Sequence, residues 1–352
     1  MARPGLPTPR WGARVAARAG AGQARLTRRI AFGALVVALA ATGTGCVSLP
    51  QEKTGKAPVW SPASADATST FLRTYDEVTR RAAAGRNDKL ITSVESGPLL
   101  QASQAEFQIA KRLDPDNKKP ASAPTHTGSK VYLPKFQKYP VWFFTVSSTG
   151  EAARPTVGLV LRPRAGALWK KAVSVDLDEG VDLPPLATRD GAAVDVSQET
   201  GGTLVRPPSK VAIAYAALLA DGPTAPQARA FEPHTQTTRS QQATAQNKSQ
   251  SSAFSYNQKF EVTSVRALAT TDGGGLELFT LAETENLAMK TGSLKFERTD
   301  AVAAYTGVAA PTAFLRTNWV WQVAAFVPPK DQGNGKVRLL GVDRSLASAE
   351  MK

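Results

Sequence analysis

Residues 139–177 read YPVWFFTVSSTGEAARPTVGLVLRPRAGALWKKAVSVDL, and this stretch decides the fold. Its runs at 141–146, 156–161 and 172–177 are short and rich in β-branched or aromatic residues, and Gly and Pro part them. That is the pattern of consecutive antiparallel strands. A further short run, 131–133, precedes them. Upstream the period changes. Phe71, Leu72, Tyr75 and Val78 recur at three- and four-residue spacing, so one helix face is apolar, and Gly85 suits its end. Pro98 opens a second helix carrying Leu99, Leu100, Phe107, Ile109 and Leu113, which Asp114-Pro115 stops. The run between, 115–130, is too rich in Pro, Lys, Ser and Thr to pack and reads as a loop that includes His126. Helices first and a meander after predict an α+β unit.

Further along, the order begins again. Val211, Ile213, Tyr215, Leu218 and Leu219 follow Pro207-Pro208 as a helix that ends at Asp221-Gly222-Pro223. Residues 235–252 (TQTTRSQQATAQNKSQSS) are almost devoid of apolar side chains and read as a loop or a solvated helix. Strands are expected at 255–269 and 275–288, joined by a turn at Asp272-Gly273-Gly274-Gly275, and at 319–327 and 336–342. Segment 289–318 is ambiguous. The expectation is two tandem helix-plus-antiparallel-sheet units, 65–178 and 209–352, with 179–208 as a linker.

Working outward to the N-terminus, residues 1–45 divide as an export signal does. Seven arginines and no acid lead to the apolar run 30–41, and small residues then reach Cys46, the only cysteine among 352 residues. Twelve apolar residues span about 18 Å as a helix, too short for a bilayer core of roughly 30 Å. The ending Thr44-Gly45-Cys46 resembles a bacterial lipobox, in which the thiol receives diacylglycerol; Gly43 departs from the aliphatic residue usual there. Thr27–Phe32 also resembles part of a twin-arginine signal, so either export route is open. Residues 46–64 are then a lipidated cysteine and a polar, proline-bearing tether, with all that follows outside the cytoplasm.

The formal charge of +14 falls to +7 once residues 1–45 are set aside, so the remainder is mildly basic. Such a balance suits a membrane or anionic wall polymer and does not signal nucleic acid. The charges are segregated. Residues 130–171 hold eight cations against Glu151, and 172–200 hold seven acids against Arg189. Arg162, Arg164, Trp169, Lys170 and Lys171 are the candidate contacts to an anionic surface. The alternative is that aromatics such as Trp169 face the core while the cations only solvate the outer face.

Catalytic signatures are sparse. His126 and His234, the only histidines, lie in no recognisable catalytic motif and read as surface residues. Two isolated histidines do not make a zinc site. The acid run at 176–182 departs from an EF-hand, since Gly180 stands where an oxygen ligand belongs. No cofactor or metal is expected.

The lipobox, FLRTYDEV (71–78), YPVWFF (139–144), WKKAVSVDL (169–177), LPPLATRDGAAV (183–194) and NWVWQVAAF (318–326) together resemble uncharacterised actinobacterial lipoproteins of the Streptomyces type. The order of helix then curved sheet is also similar to cystatin-like cones, including the nuclear transport factor 2 superfamily, at the level of fold alone. The resemblance implies a lipid-anchored protein on the outer face of the cell membrane. The expected role is a non-catalytic binding or scaffold protein whose partner is an anionic wall polymer or an envelope protein. A small-ligand carrier or an enzyme using a cavity between helix and sheet is the alternative.

Overall fold

Local signals fix the first helices. In the computed structural model, which describes residues 59–121, 123, 125–149, 154–200, 202–308, 310–332 and 335–352, helix α1 (Ala65–Gly85) starts where the Ser64 hydroxyl accepts from the Ala67 amide. It ends at the expected Gly85, and Arg86 caps it with φ 46°. That left-handed conformation is uncommon for a residue with a side chain. It is held because the Arg86 guanidinium binds the Asp114 carboxylate at 2.8 Å. A short helix α2 (Asp88–Ile91) and helix α3 (Gly97–Leu113) follow, the latter with Pro98 in its first turn as expected.

Four antiparallel strands come next, in the order β1 (His126–Tyr132), β2 (Val141–Thr149), β3 (Arg154–Arg162) and β4 (Lys170–Asp176). His126 is thus the first residue of a strand, not part of a loop. A β5–β6 hairpin (Thr188–Arg189, Ala192–Ala193) lies in the linker. Then come α4 (Pro208–Asp221), a 3-10 turn (Pro226–Ala230) and α5 (Thr235–Ser249), so the polar run is a helix. The second sheet is again an antiparallel meander, β7 (Phe254–Ala269), β8 (Gly275–Met289), β9 (Phe314–Val327) and β10 (Arg338–Met351). Helix α6 (Ala301–Thr306) stands in the segment that the sequence left ambiguous.

Strand β2 is buried almost throughout rather than on alternate residues, because the first sheet is covered on both faces. Phe143 meets Phe71 of α1 edge-on at 6.3 Å. Trp142, Phe144 and Val175, on the opposite face, share one apolar cluster with Leu276, Leu278, Ala324 and Leu340 of the second sheet. The second sheet's other face carries Phe279, Leu281 and Trp321 beneath Val211 and Tyr215 of α4. The layers where the sheets overlap are therefore helix, sheet, sheet, helix, and both units contribute to the central core. The linker joins it too: Leu186 and Asp195 form bridges with Thr270 and Leu268.

The outer edge of β4 would expose unpaired amides. It is closed from elsewhere in the chain: Val94 O accepts from Lys171 N, Gln322 Oε1 from Ser174 N at 3.0 Å, and Leu340 O from Asp178 N. At Gly341 the backbone of β10 lies so close to the Asp176 carbonyl that no side chain fits.

Candidate functional site

Two places in this fold concentrate polar chemistry, and a third concentrates surface charge. The first lies between α1 and the first sheet. His126 Nδ1 is 2.6 Å from Asp76 Oδ1 of α1, and His126 Nε2 is 3.0 Å from Lys171 Nζ of β4. Lysine has only hydrogens to give, so Nε2 is the acceptor and Nδ1 carries the hydrogen donated to Asp76. Lys171 Nζ also lies over the Tyr75 ring, 4.9 Å from its centroid, and Tyr75 Oη donates to Glu95 Oε1 at 2.9 Å. On the same face Thr156 donates to Asp176 at 2.6 Å and is 2.8 Å from the Thr149 hydroxyl. Burial lowers the pKa of His126, the Asp76 hydrogen bond opposes that, and the Lys171 charge lowers it further, so the net shift is downward.

Gly158 of β3 makes room for this cluster. A Cβ there would stand 2.5 Å from Thr145 Oγ1 and 2.6 Å from Lys171 Cε. Lys171 points inward because β4 carries an extra residue: Leu159 pairs with Val173 but Val160 with Lys171. That bulge turns Lys171 to the face opposite Val173 and Val175.

A second network lies on the α4 side of the other sheet. Arg344 Nε donates to Glu283 Oε2 at 2.7 Å and Nη2 to Glu285 Oε2 at 3.0 Å, while its guanidinium stacks on Trp319 at 3.8 Å. Trp321 Nε1 and Gln258 Nε2 complete the bonds to Glu283, and Tyr256 and Trp319 serve Glu285. Burial raises the Glu283 pKa, Arg344 opposes it and Glu285 reinforces it, with a net upward shift. Three rows along the same sheet face from Glu283, Glu277 is fully buried with neither oxygen bonded, and burial alone pushes its pKa well up. Burial thus favours its neutral form.

The third place is one end of the first sheet. The register sets Val141 opposite Arg162 and Leu161 opposite Lys170, so the segments 133–140 and 163–169 lie side by side there. Of the five residues expected to meet an anionic surface, Arg164 is exposed and Arg162 half-buried, its guanidinium 4.4 Å over the Trp169 ring. Lys170 is half-buried and donates to the Thr92 carbonyl. Trp169 and Lys171 are buried, which removes both from any surface. Lys135 and Lys138 are exposed at the same end. Cys46 lies outside the described residues.

The structure corrects the reading of both histidines as surface residues. His126 belongs to the first cluster, and the His234 ring, 8% exposed, bonds Asp178 at 2.7 Å. Asp76, Glu283, Glu285 and Arg344 were not singled out from sequence. The one signal for the last three was charge standing among strand aromatics.

Among the described residues no group of three or more His, Cys, Asp or Glu could hold a metal ion, and no helix is long and apolar enough to cross a membrane. No solved structure matches the chain. A relative from Streptomyces coelicolor, "Uncharacterized lipoprotein SCO6871", is 26% identical over 336 residues, covering 90% of this chain and 92% of its own. A family defined by a domain of unknown function (DUF8094) matches residues 56–351, nearly all of the chain that the structure describes. The chain belongs to that DUF8094 family.

Proposed function

We propose that the protein is a lipid-anchored, extracytoplasmic lipoprotein that binds or scaffolds other envelope components and catalyses no reaction. The observation that carries this reading is the state of His126. A general base accepts, through one imidazole nitrogen, from a nucleophile that substrate can reach. Here the group on Nε2 is Lys171, which is buried, while Nδ1 faces Asp76. Of the acids on the second sheet, Glu283 and Glu285 are saturated by Arg344, the two tryptophans and their neighbours, while Glu277, unpaired, is sealed from solvent. The gap between α4 and the second sheet is filled by Tyr215, Phe279 and Trp321, each with no exposed surface, which favours a scaffold over a carrier. The name of the Streptomyces relative supports the lipid anchor.

Complementation separates the readings. In a strain lacking the gene, a His126→Gln copy that accumulates to parental level is expected to restore the parental phenotype. A Cys46→Ser copy is expected to fail and to appear in the medium or uncleaved. Loss of complementation by well-folded His126→Gln would overturn the non-catalytic reading. Unchanged mass and membrane fractionation of Cys46→Ser would overturn the anchor.

A further inference from the structure

The chain enters the fold at the basic end of the first sheet. Trp60, the second described residue, exchanges two backbone hydrogen bonds of 2.9 Å with Phe136, and its ring packs on Tyr139 at 5.6 Å. Trp60 thus joins the sheet at the end where the segments 133–140 and 163–169 lie. Lys135, Lys138 and Arg164 are exposed there, and none has a carboxylate within ion-pair distance among the described residues. Leu168, two residues ahead of β4, is 68% exposed, and Val59 beside Trp60 is 55% exposed. They are the two most exposed large aliphatic residues described. Trp60 and Tyr139 are half-buried against the core. Exposed cations, exposed aliphatic side chains and a Trp/Tyr pair are the side chains that favour a headgroup interface.

Strand β4 then gives the molecule an electrical axis. It runs from Lys170 at this end to Asp176 at the other, where Asp178, Glu179 and Asp182 follow. Asp66 and Asp190 are the exposed acids on adjoining segments, fewer than the cations.

We infer that this end of the first sheet docks on an anionic phospholipid surface, with Lys135, Lys138 and Arg164 at the headgroups, Leu168 and Val59 between them, and the acidic end pointing away. The inference rests on the lipid-anchor reading for its orientation. The thirteen residue-to-residue steps from Cys46 to Val59 span at most about 45 Å. The tether thus holds the basic end within range of the surface, and charge attraction closes the remaining distance.

The test uses the chain from residue 46 onward with Cys46→Ser, which retains every described element and carries no lipid. Its partition onto vesicles of equimolar phosphatidylglycerol and phosphatidylcholine is compared with that onto phosphatidylcholine alone. The parent is expected to bind the anionic vesicles and to be released by 1 M salt, where screening acts beyond about 3 Å. The triple variant Lys135→Glu, Lys138→Glu, Arg164→Glu is expected to bind about a hundredfold or more weakly. A control of equal net charge, Lys259→Glu, Lys295→Glu, Arg298→Glu, is expected to bind as the parent does. Equal loss in both triples would reduce the effect to net charge and overturn the inference. So would binding to purified wall without binding to vesicles. Absence of lipid on native Cys46, read by mass, would remove the anchor while leaving the vesicle result to judge the basic end by itself.

Discussion

At the residue scale, His126 is the most informative side chain. Its folded pKa lies below the ordinary value of 6.5. The unfolded chain therefore takes up a proton before the folded chain does as pH falls. Stability is fully present above pH 6.5 and declines as the pH drops from there through the folded value. The slope contributed by one such group is at most about 1.4 kcal/mol per pH unit. Urea unfolding at steps from pH 7.5 to 5.5 is expected to show this decline in the parent and a flatter profile in His126→Gln. Parallel profiles would mean that the ring titrates alike in both states.

At the element scale, the first sheet depends on what β3 and β4 leave out and put in. Gly158 leaves out a side chain so that the Lys171 stem can cross above it. Gly158→Ala is expected to destabilise by about 1–3 kcal/mol, as overpacking does, and to push Lys171 off His126. Denaturant midpoints check the first effect, and the His126 ring signals in an NMR spectrum check the second. The elements themselves were largely legible. Phe71 and Tyr75 on α1, Pro98 opening α3 and the apolar run of β2 each carry a local signal that the structure obeys. The cluster under α1 was not legible, for two physical reasons. Strict alternation from Val173 and Val175 places Lys171 on their face, and a bulge, which has no composition signal, reverses it. Asp76 sits beside the apolar stripe of α1, and only the position of β1 shows that it meets a histidine fifty residues on. The polar helix α5 was half legible. Its sequence gives no stripe, yet Thr237, Gln241 and Thr244 are buried, with Gln241 donating to the Leu218 carbonyl at the end of α4.

At the scale of the whole molecule, the two helix-then-sheet units meet through a cluster that draws on both sheets and on Leu186 of the linker. Separating them would expose Trp142, Phe144, Leu276 and Leu278 together, at about 25 cal/mol per Å2 of apolar surface. One cooperative thermal transition is therefore expected, with tryptophan fluorescence and far-ultraviolet dichroism coinciding. Two resolved transitions, or a proteolytic fragment covering only 65–178 that keeps its native spectrum, would show that the units are separable.

The closed edge of β4 also bears on how the protein is made. The amide of Ser174 waits for a partner 148 residues further along the chain, in Gln322. Synthesis at about 5–20 residues per second puts that interval at roughly 7–30 seconds. During it a nascent chain with β1–β4 already paired presents a free strand margin to whatever lies beside it. The last thirty residues thus protect a sheet made long before them. A product cut short ahead of Gln322 keeps that margin open for as long as it lasts.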